Sequence, residues 1–110
     1  MKLDSCFENG ELTVKVCGDI DHHETVLLRE AIDSLIVKNK PRKMVFDLSE
    51  TEFMDSSGLG LILGRYRLAS SMNCRLSVRG ANERAMKILT LAGVNKIIDI
   101  ERSGKNEKIG

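Results

Sequence analysis

Asp55-Ser56-Ser57-Gly58 sets a carboxylate, two hydroxyls and a flexible residue in four consecutive positions, directly after the apolar pair Phe53-Met54 and directly before a run with helical periodicity. A hydroxyl placed there stands at a helix N-terminus, where backbone N–H groups lack intrahelical acceptors. Two chemistries fit. The polar group can cap the helix, worth about 1 kcal/mol. Alternatively a serine can accept a phosphate, which adds about −1.5 to −2 charges and could take up N–H groups left free at the helix start. One serine suffices for a cap. A second serine with an adjacent acid and a glycine raises the phosphorylation reading. Such a phosphate, beside Asp55, would repel an acidic or close-fitting partner and change binding more than fold.

Enzymatic readings of this stretch fail on spacing. Gly58-Leu59-Gly60-Leu61-Ile62-Leu63 has the first two glycines of a dinucleotide fingerprint, but Leu63 occupies the place of the third. Gly64 is followed by Arg65-Tyr66 and not by the lysine and hydroxyl residue of a phosphate-binding loop. Neither Ser56 nor Ser57 has the flanking glycines of a hydrolase nucleophile elbow. The glycines are expected instead to let a helix pack closely on a sheet. His22 and His23 are adjacent, so on a helix they diverge by about 100° and do not share a metal as an i, i+4 pair would. Asp19, Asp21 and Glu24 form an acidic cluster that could hold a cation, although carboxylates at a helix start are the commoner arrangement. Its other use is as part of a binding surface. Neither a metal nor a cofactor is expected.

The elements that position these residues are legible from periodicity. Leu12, Val14 and Val16 alternate with Glu11, Thr13 and Lys15, a strand with one wet face, and Asn9-Gly10 pairs it with residues 2–7 as a hairpin. Leu28, Ala31, Ile32, Leu35 and Ile36 recur at helical spacing between His22 and Lys38, with Asp21 or a neighbour the natural cap. After Pro41, Met44 to Leu48 reads as a central strand. The next helix is expected to bury Leu59, Ile62, Leu63 and Tyr66, with Arg65 and Arg67 outside that face. Arg75 to Arg79 is a fourth strand. Asn82 caps a third helix carrying Ala85, Ile88, Leu89 and Ala92 and ending at Gly93. Ile97, Ile98 and Ile100 supply a last strand, and a charged, frayed tail runs from about residue 101 to 110. The order ββαβαβαβ is that of an α/β domain with helices packed on a sheet.

The chain's 110 residues suffice for one domain and one core. Seventeen Lys and Arg against 16 Asp and Glu leave a formal charge of +1, which gives no support for nucleic-acid or membrane binding through bulk electrostatics. Cys6, Cys17 and Cys74 are odd in number and lack CxxC spacing, so reduced and mostly buried thiols are expected. There is no apolar signal region and no apolar run near the roughly 20 residues of a membrane span, so a cytoplasmic protein is expected. A monomer is expected too, because no apolar stripe should remain once each helix has a face on the sheet.

Phe53-Met54-Asp55-Ser56-Ser57-Gly58-Leu59-Gly60, continued by Leu61-Ile62-Leu63-Gly64-Arg65-Tyr66 and preceded by Gly18-Asp19-Ile20-Asp21-His22-His23, closely resembles the anti-sigma factor antagonists of the STAS-domain family. The match looks nearest to the sporulation members that act on sigma factor F, and it runs from about residue 5 to 100. The resemblance implies a STAS-like single domain over residues 1–110, with a mixed sheet of about five strands and three or four helices. It implies no enzymatic activity but a switch. The unmodified protein binds an anti-sigma factor, a serine kinase with bound nucleotide, and releases the sigma factor; the kinase inactivates it by phosphorylating Ser56, and a PP2C-type phosphatase restores it. By position, Asp55 flanks the acceptor, Ser57 is a structural cap, and the partner-binding surface comprises Asp21, Asp55, Ser56, Ser57 and Gly58. Asp19 stands where many relatives carry Glu, which keeps the charge. Stress-response antagonists share the switch. Some STAS domains bind nucleotides, a reading that the missing phosphate loop does not support.

Overall fold

Leu12, Val14 and Val16 are buried while Glu11, Thr13, Lys15 and Cys17 stay partly exposed, so the alternating pattern becomes a strand covered on one face. The computed structural model describes residues 2–102. Its elements are β1 (Lys2–Glu8), β2 (Glu11–Cys17), α1 (His22–Asn39), β3 (Lys43–Asp47), α2 (Ser56–Ser71), β4 (Arg75–Ala81), α3 (Glu83–Leu91), a 3₁₀ turn (Val94–Lys96) and β5 (Asp99–Arg102). The expected α/β order holds.

The sheet runs β1-β2-β3-β4-β5. The β1–β2 hairpin is antiparallel, closed at Asn9 and Gly10, both at positive φ, and every later pair is parallel. Each parallel crossover joins adjacent strands in the same direction across the sheet, so right-handed connections put all three helices on one face. That face holds the core: Leu12, Val14, Val16, Met44, Phe46, Leu76 and Val78 pack under Leu28, Ile32 and Ile36 of α1, Leu61, Ile62 and Ala69 of α2, and Ala85 and Leu89 of α3. The opposite face is largely polar, with Val45 a buried apolar residue on it between Thr13 and Ser77. Asp4 pairs with Lys15, Lys15 with Asp47, and Asp47 with Arg79, a row of alternating charge across four strands. Arg79 Nη2 lies 3.2 Å from Asp47 Oδ2.

Several sequence expectations are corrected. Arg65 lies inside α2's buried face, 6% exposed, with Nε 2.6 Å from Asp33 Oδ1 on α1. Leu61 takes the core place expected of Leu59, Leu63 and Tyr66, which are only partly buried. The reason is geometric. Helix α2 packs on α1 as well as on the sheet, so a second stripe is covered, and that stripe contains an arginine with a partner. Ala31 and Ala92 are exposed, because each sits just beyond the stripe its helix turns inward. The last strand begins at Asp99 and not at Ile97, since the 3₁₀ turn leaves Ile97 exposed and buries Ile98. Glu101 and Arg102 belong to β5; the rest of the expected tail lies outside the described residues. Of the three free cysteines only Cys74 is buried. Leu27 and Leu91 remain 64% and 82% exposed, so the helices do keep uncovered apolar side chains. No helix among the described residues is long and apolar enough to cross a membrane.

Candidate functional site

The C-terminal ends of β2 and β3 lead into α1 and α2, and the two connections are stitched together. Ile20 and Met54 form a parallel bridge, with Ile20 N–H donating to Phe53 O at 2.8 Å and Asp55 N–H to Ile20 O at 3.3 Å. Both bridge residues are buried, at 0% and 1% exposure, so the loops are anchored to the core just before each helix begins. Asp21 and Asp55, the next residues, are both N-caps in extended conformation. Asp21 Oδ1 accepts from the N–H groups of His23 and Glu24, each at 3.0 Å. Asp55 Oδ1 accepts from Ser57 N–H at 2.9 Å and from the Ser57 hydroxyl.

The two serines therefore separate. Ser57 does not cap the helix; Asp55 does, because its carboxylate, reaching from the extended residue before the helix, meets the Ser57 N–H directly. The Ser57 hydroxyl is spent on that carboxylate. Ser56 is the first residue of α2, exposed, and no hydrogen bond among the described residues engages its hydroxyl. The helix start is also less vacant than the sequence suggests. Ser57 N–H is held by the Asp55 carboxylate and Gly58 N–H donates to Asp55 O at 3.0 Å, so a phosphate on Ser56 would find these donors occupied. The hydrogen bonds from the Ser57 side chain and backbone hold the Asp55 carboxyl below the usual carboxylate range against the opposing effect of desolvation, with a still smaller lowering from the charge of His22.

Residues that sequence reasoning missed hold the loop between β3 and α2. The Thr51 hydroxyl donates to Val16 O at 2.8 Å, Gly18 N–H donates to Glu50 O at 3.0 Å, and Asn82 Nδ2 donates to Glu52 O at 3.2 Å and Thr51 O at 3.4 Å. Asn82 meanwhile caps α3 as expected, its Oδ1 accepting from Ala85 N–H at 2.8 Å. The Arg84 guanidinium sits 5.2 Å over the Phe53 ring, next to the site. Only Asn82 carried a readable signal, and that signal was its cap. At Gly58 close packing holds: a Cβ there would overlap the buried Met54 side chain. Gly60 and Gly64 have nothing within 4 Å and do not serve that purpose. Asp19, Asp21 and Glu24 form no metal-holding group among the described residues.

Asp21, Asp55, Ser56, Ser57 and Gly58 are thus brought to one end of the sheet, at the carboxyl ends of its strands. Comparison with known proteins adds what this arrangement is similar to. A family model described as a STAS domain matches residues 4–106. An anti-sigma F factor antagonist of Paenibacillus polymyxa is 33% identical over 100 residues, covering 91% of this chain and 86% of that protein. An anti-sigma-B factor antagonist of Bacillus subtilis is 28% identical over 98 residues, covering 89% and 86%. Among solved structures, the anti-sigma factor antagonist SpoIIAA in its unphosphorylated form superposes with a TM-score of 0.80 at 20% identity, covering 96% of this chain and 92% of that one. The phosphorylated form of the Bacillus cell fate determinant SpoIIAA gives 0.73 at 20% identity, with 96% of each chain covered.

Proposed function

The chain belongs to the STAS-domain family, and from that premise we propose that it is an anti-sigma factor antagonist switched by phosphorylation of Ser56. In the unmodified state Asp21, Asp55, Ser56, Ser57 and Gly58 form the surface that binds an anti-sigma factor and releases its sigma factor. The anti-sigma factor is a serine kinase that carries nucleotide, and it transfers phosphate to Ser56; a PP2C-type phosphatase removes it. The protein is a substrate in this scheme and not a catalyst. The names of the curated relatives, antagonists of anti-sigma F and anti-sigma-B factors, support the partner class. The higher identity to the sigma-F antagonist favours a sporulation pathway over a stress pathway.

The observation that carries the choice of residue is the contrast between the two hydroxyls. Ser57 is locked onto the carboxylate that caps α2, whereas Ser56 is exposed and unengaged one residue earlier. Phosphate on Ser56 adds about −1.5 to −2 charges beside the Asp55 carboxylate, and the Ser57 and Gly58 N–H groups that could absorb them are already bonded. A partner surface that docks closely on the unmodified site then meets like charge and extra bulk. A loss of about 3 kcal/mol in binding lowers affinity by more than a hundredfold.

The test is phosphate incorporation by the anti-sigma kinase with ATP, read by intact-mass spectrometry and site mapping. One phosphate on Ser56 is expected. Ser56→Ala should abolish labelling and still bind the kinase, Ser57→Ala should still be labelled, and Ser56→Asp should bind weakly. Labelling at Ser57, or equal affinity of wild type and Ser56→Asp, sinks the reading.

A further inference from the structure

Strand β1 is an edge of the sheet, with β2 on one side and no strand on the other among the described residues. The turn at Asn9 and Gly10, both at positive φ, closes the hairpin on Glu8 and Glu11. In such a turn the closing residues exchange hydrogen bonds, and bonded pairs then alternate along the strands. Lys2, Asp4, Cys6 and Glu8 therefore turn their backbone groups toward β2, while Leu3, Ser5 and Phe7 turn theirs outward. The bond from Arg42 N–H to Gly10 O at 2.8 Å, on the β3 side of β2, fits this parity. No backbone acceptor among the described residues engages the N–H of Leu3, Ser5 or Phe7. Their side chains share the helix face with Val16, Val14 and Leu12, their partners on β2; Leu3 packs against the core, and Phe7 is 44% exposed.

We propose that this edge pairs with β1 of a second copy of the chain, antiparallel and about a twofold axis through Ser5. The strand Lys-Leu-Asp-Ser-Cys-Phe-Glu is self-complementary in that register. Leu3 comes opposite the second copy's Phe7 and Ser5 opposite its own counterpart, so every outward N–H and C=O of Leu3, Ser5 and Phe7 finds a partner. Lys2 is set opposite Glu8, a residue of opposite charge, and Asp4 opposite Cys6. The neighbouring registers that keep the same hydrogen-bonding parity bring Asp4 opposite Asp4 or opposite Glu8, pairs of like charge. Charge therefore selects one register, and in it the exposed Phe7 ring meets an apolar neighbour that carries the core face across the junction. The expectation of a monomer rests on the helix faces and leaves this edge aside. Because the interface is isologous and its strands are antiparallel, the two Ser56 sites lie at opposite ends of the joined sheet and both stay open.

Sedimentation velocity of the full chain, reduced and at concentrations up to about 1 mM, should show a monomer–dimer equilibrium, since an interface built on one strand pair is small. Ser5→Pro removes an N–H that makes no backbone bond within the chain, a change an edge strand tolerates. It should leave the far-UV circular dichroism unchanged and weaken the dimer about thirtyfold through the bonds lost at the axis. Glu8→Lys, which leaves the backbone intact, should weaken it about tenfold, and less at high salt. Disulfide trapping reads the register. In Ser5→Cys combined with Cys6→Ser the introduced thiols face each other with Cα atoms about 5.5 Å apart and should cross-link on mild oxidation. Wild-type Cys6 lies diagonal to its counterpart, about 7–8 Å away, and should cross-link poorly. A chain monomeric at every concentration overturns the proposal. So does a dimer that neither Ser5→Pro nor Glu8→Lys weakens, which would place association on another surface, such as the exposed Leu27 and Leu91. Efficient cross-linking through Cys6 with none through Ser5→Cys overturns the register.

Discussion

Replacing Asn82 by alanine, serine and aspartate takes apart the two duties of one amide. Its Oδ1 caps α3, and its Nδ2 holds the Thr51 and Glu52 carbonyls of the loop that leads to Ser56. A cap is worth about 1 kcal/mol. The loop bonds, at 3.2 and 3.4 Å, are long and belong at the low end, about 0.5 kcal/mol each. Asn82→Ala should therefore cost about 2 kcal/mol, or roughly 8 °C in Tm at about 4 °C per kcal/mol. Asn82→Ser keeps a capping hydroxyl and should lose about 1 kcal/mol. Asn82→Asp keeps the cap but turns an oxygen toward two carbonyl oxygens, so it should be no more stable than the serine variant. Urea unfolding gives the energies, and amide exchange gives the location. Serine and aspartate should speed exchange at Ile20 and Asp55, whose N–H groups donate across the bridge, while α3 stays protected. An aspartate variant as stable as wild type, with unchanged exchange at those amides, would refute the idea that Asn82 holds the site loop.

Three glycines of α2 should respond with opposite signs. Gly58→Ala forces a methyl into Met54 and should destabilise by about 1–2 kcal/mol, whereas Gly60→Ala and Gly64→Ala meet nothing and should each stabilise by about 0.5–1 kcal/mol, as thermal unfolding would show. The buried pair between α1 and α2 should be asymmetric: Asp33→Ala strands a guanidinium whose side chain is 7% exposed and should cost about 3 kcal/mol. Arg65→Met leaves a carboxylate 36% exposed, which water can reach, and should cost about 1 kcal/mol by urea titration. Burial pushes the Asp47 carboxyl up, but hydrogen bonds from Ser49 and the Arg79 pair outweigh it and leave it below 3.8. Its stabilising contribution is therefore complete above the unfolded value and is lost as pH falls below about 4 through the lowered folded value; Asp47→Asn should flatten that part of an acid unfolding curve.

Strand alternation in Leu12-Val14-Val16, the helical spacing of Leu28-Ile32-Ile36 and the caps Asp21 and Asn82 depend on neighbours within a few residues, so the sequence by itself determined the element order and the helix starts. It also determined that Asp55-Ser56-Ser57-Gly58 opens a helix, and its motif pointed to the family. Only tertiary structure decided which side chain caps α2, and hence which serine hydroxyl is left unengaged. The adjacent serines are chemically identical in sequence, and the direction each takes is set by the extended backbone of Asp55, pinned through Ile20. Arg65 was misread for a related cause. Periodicity counts apolar residues and has no means of anticipating a charge buried against Asp33, on another helix. The stitching of the two helix starts is likewise a product of register, because a bridge between Ile20 and Met54, far apart in the chain, is encoded in no local pattern.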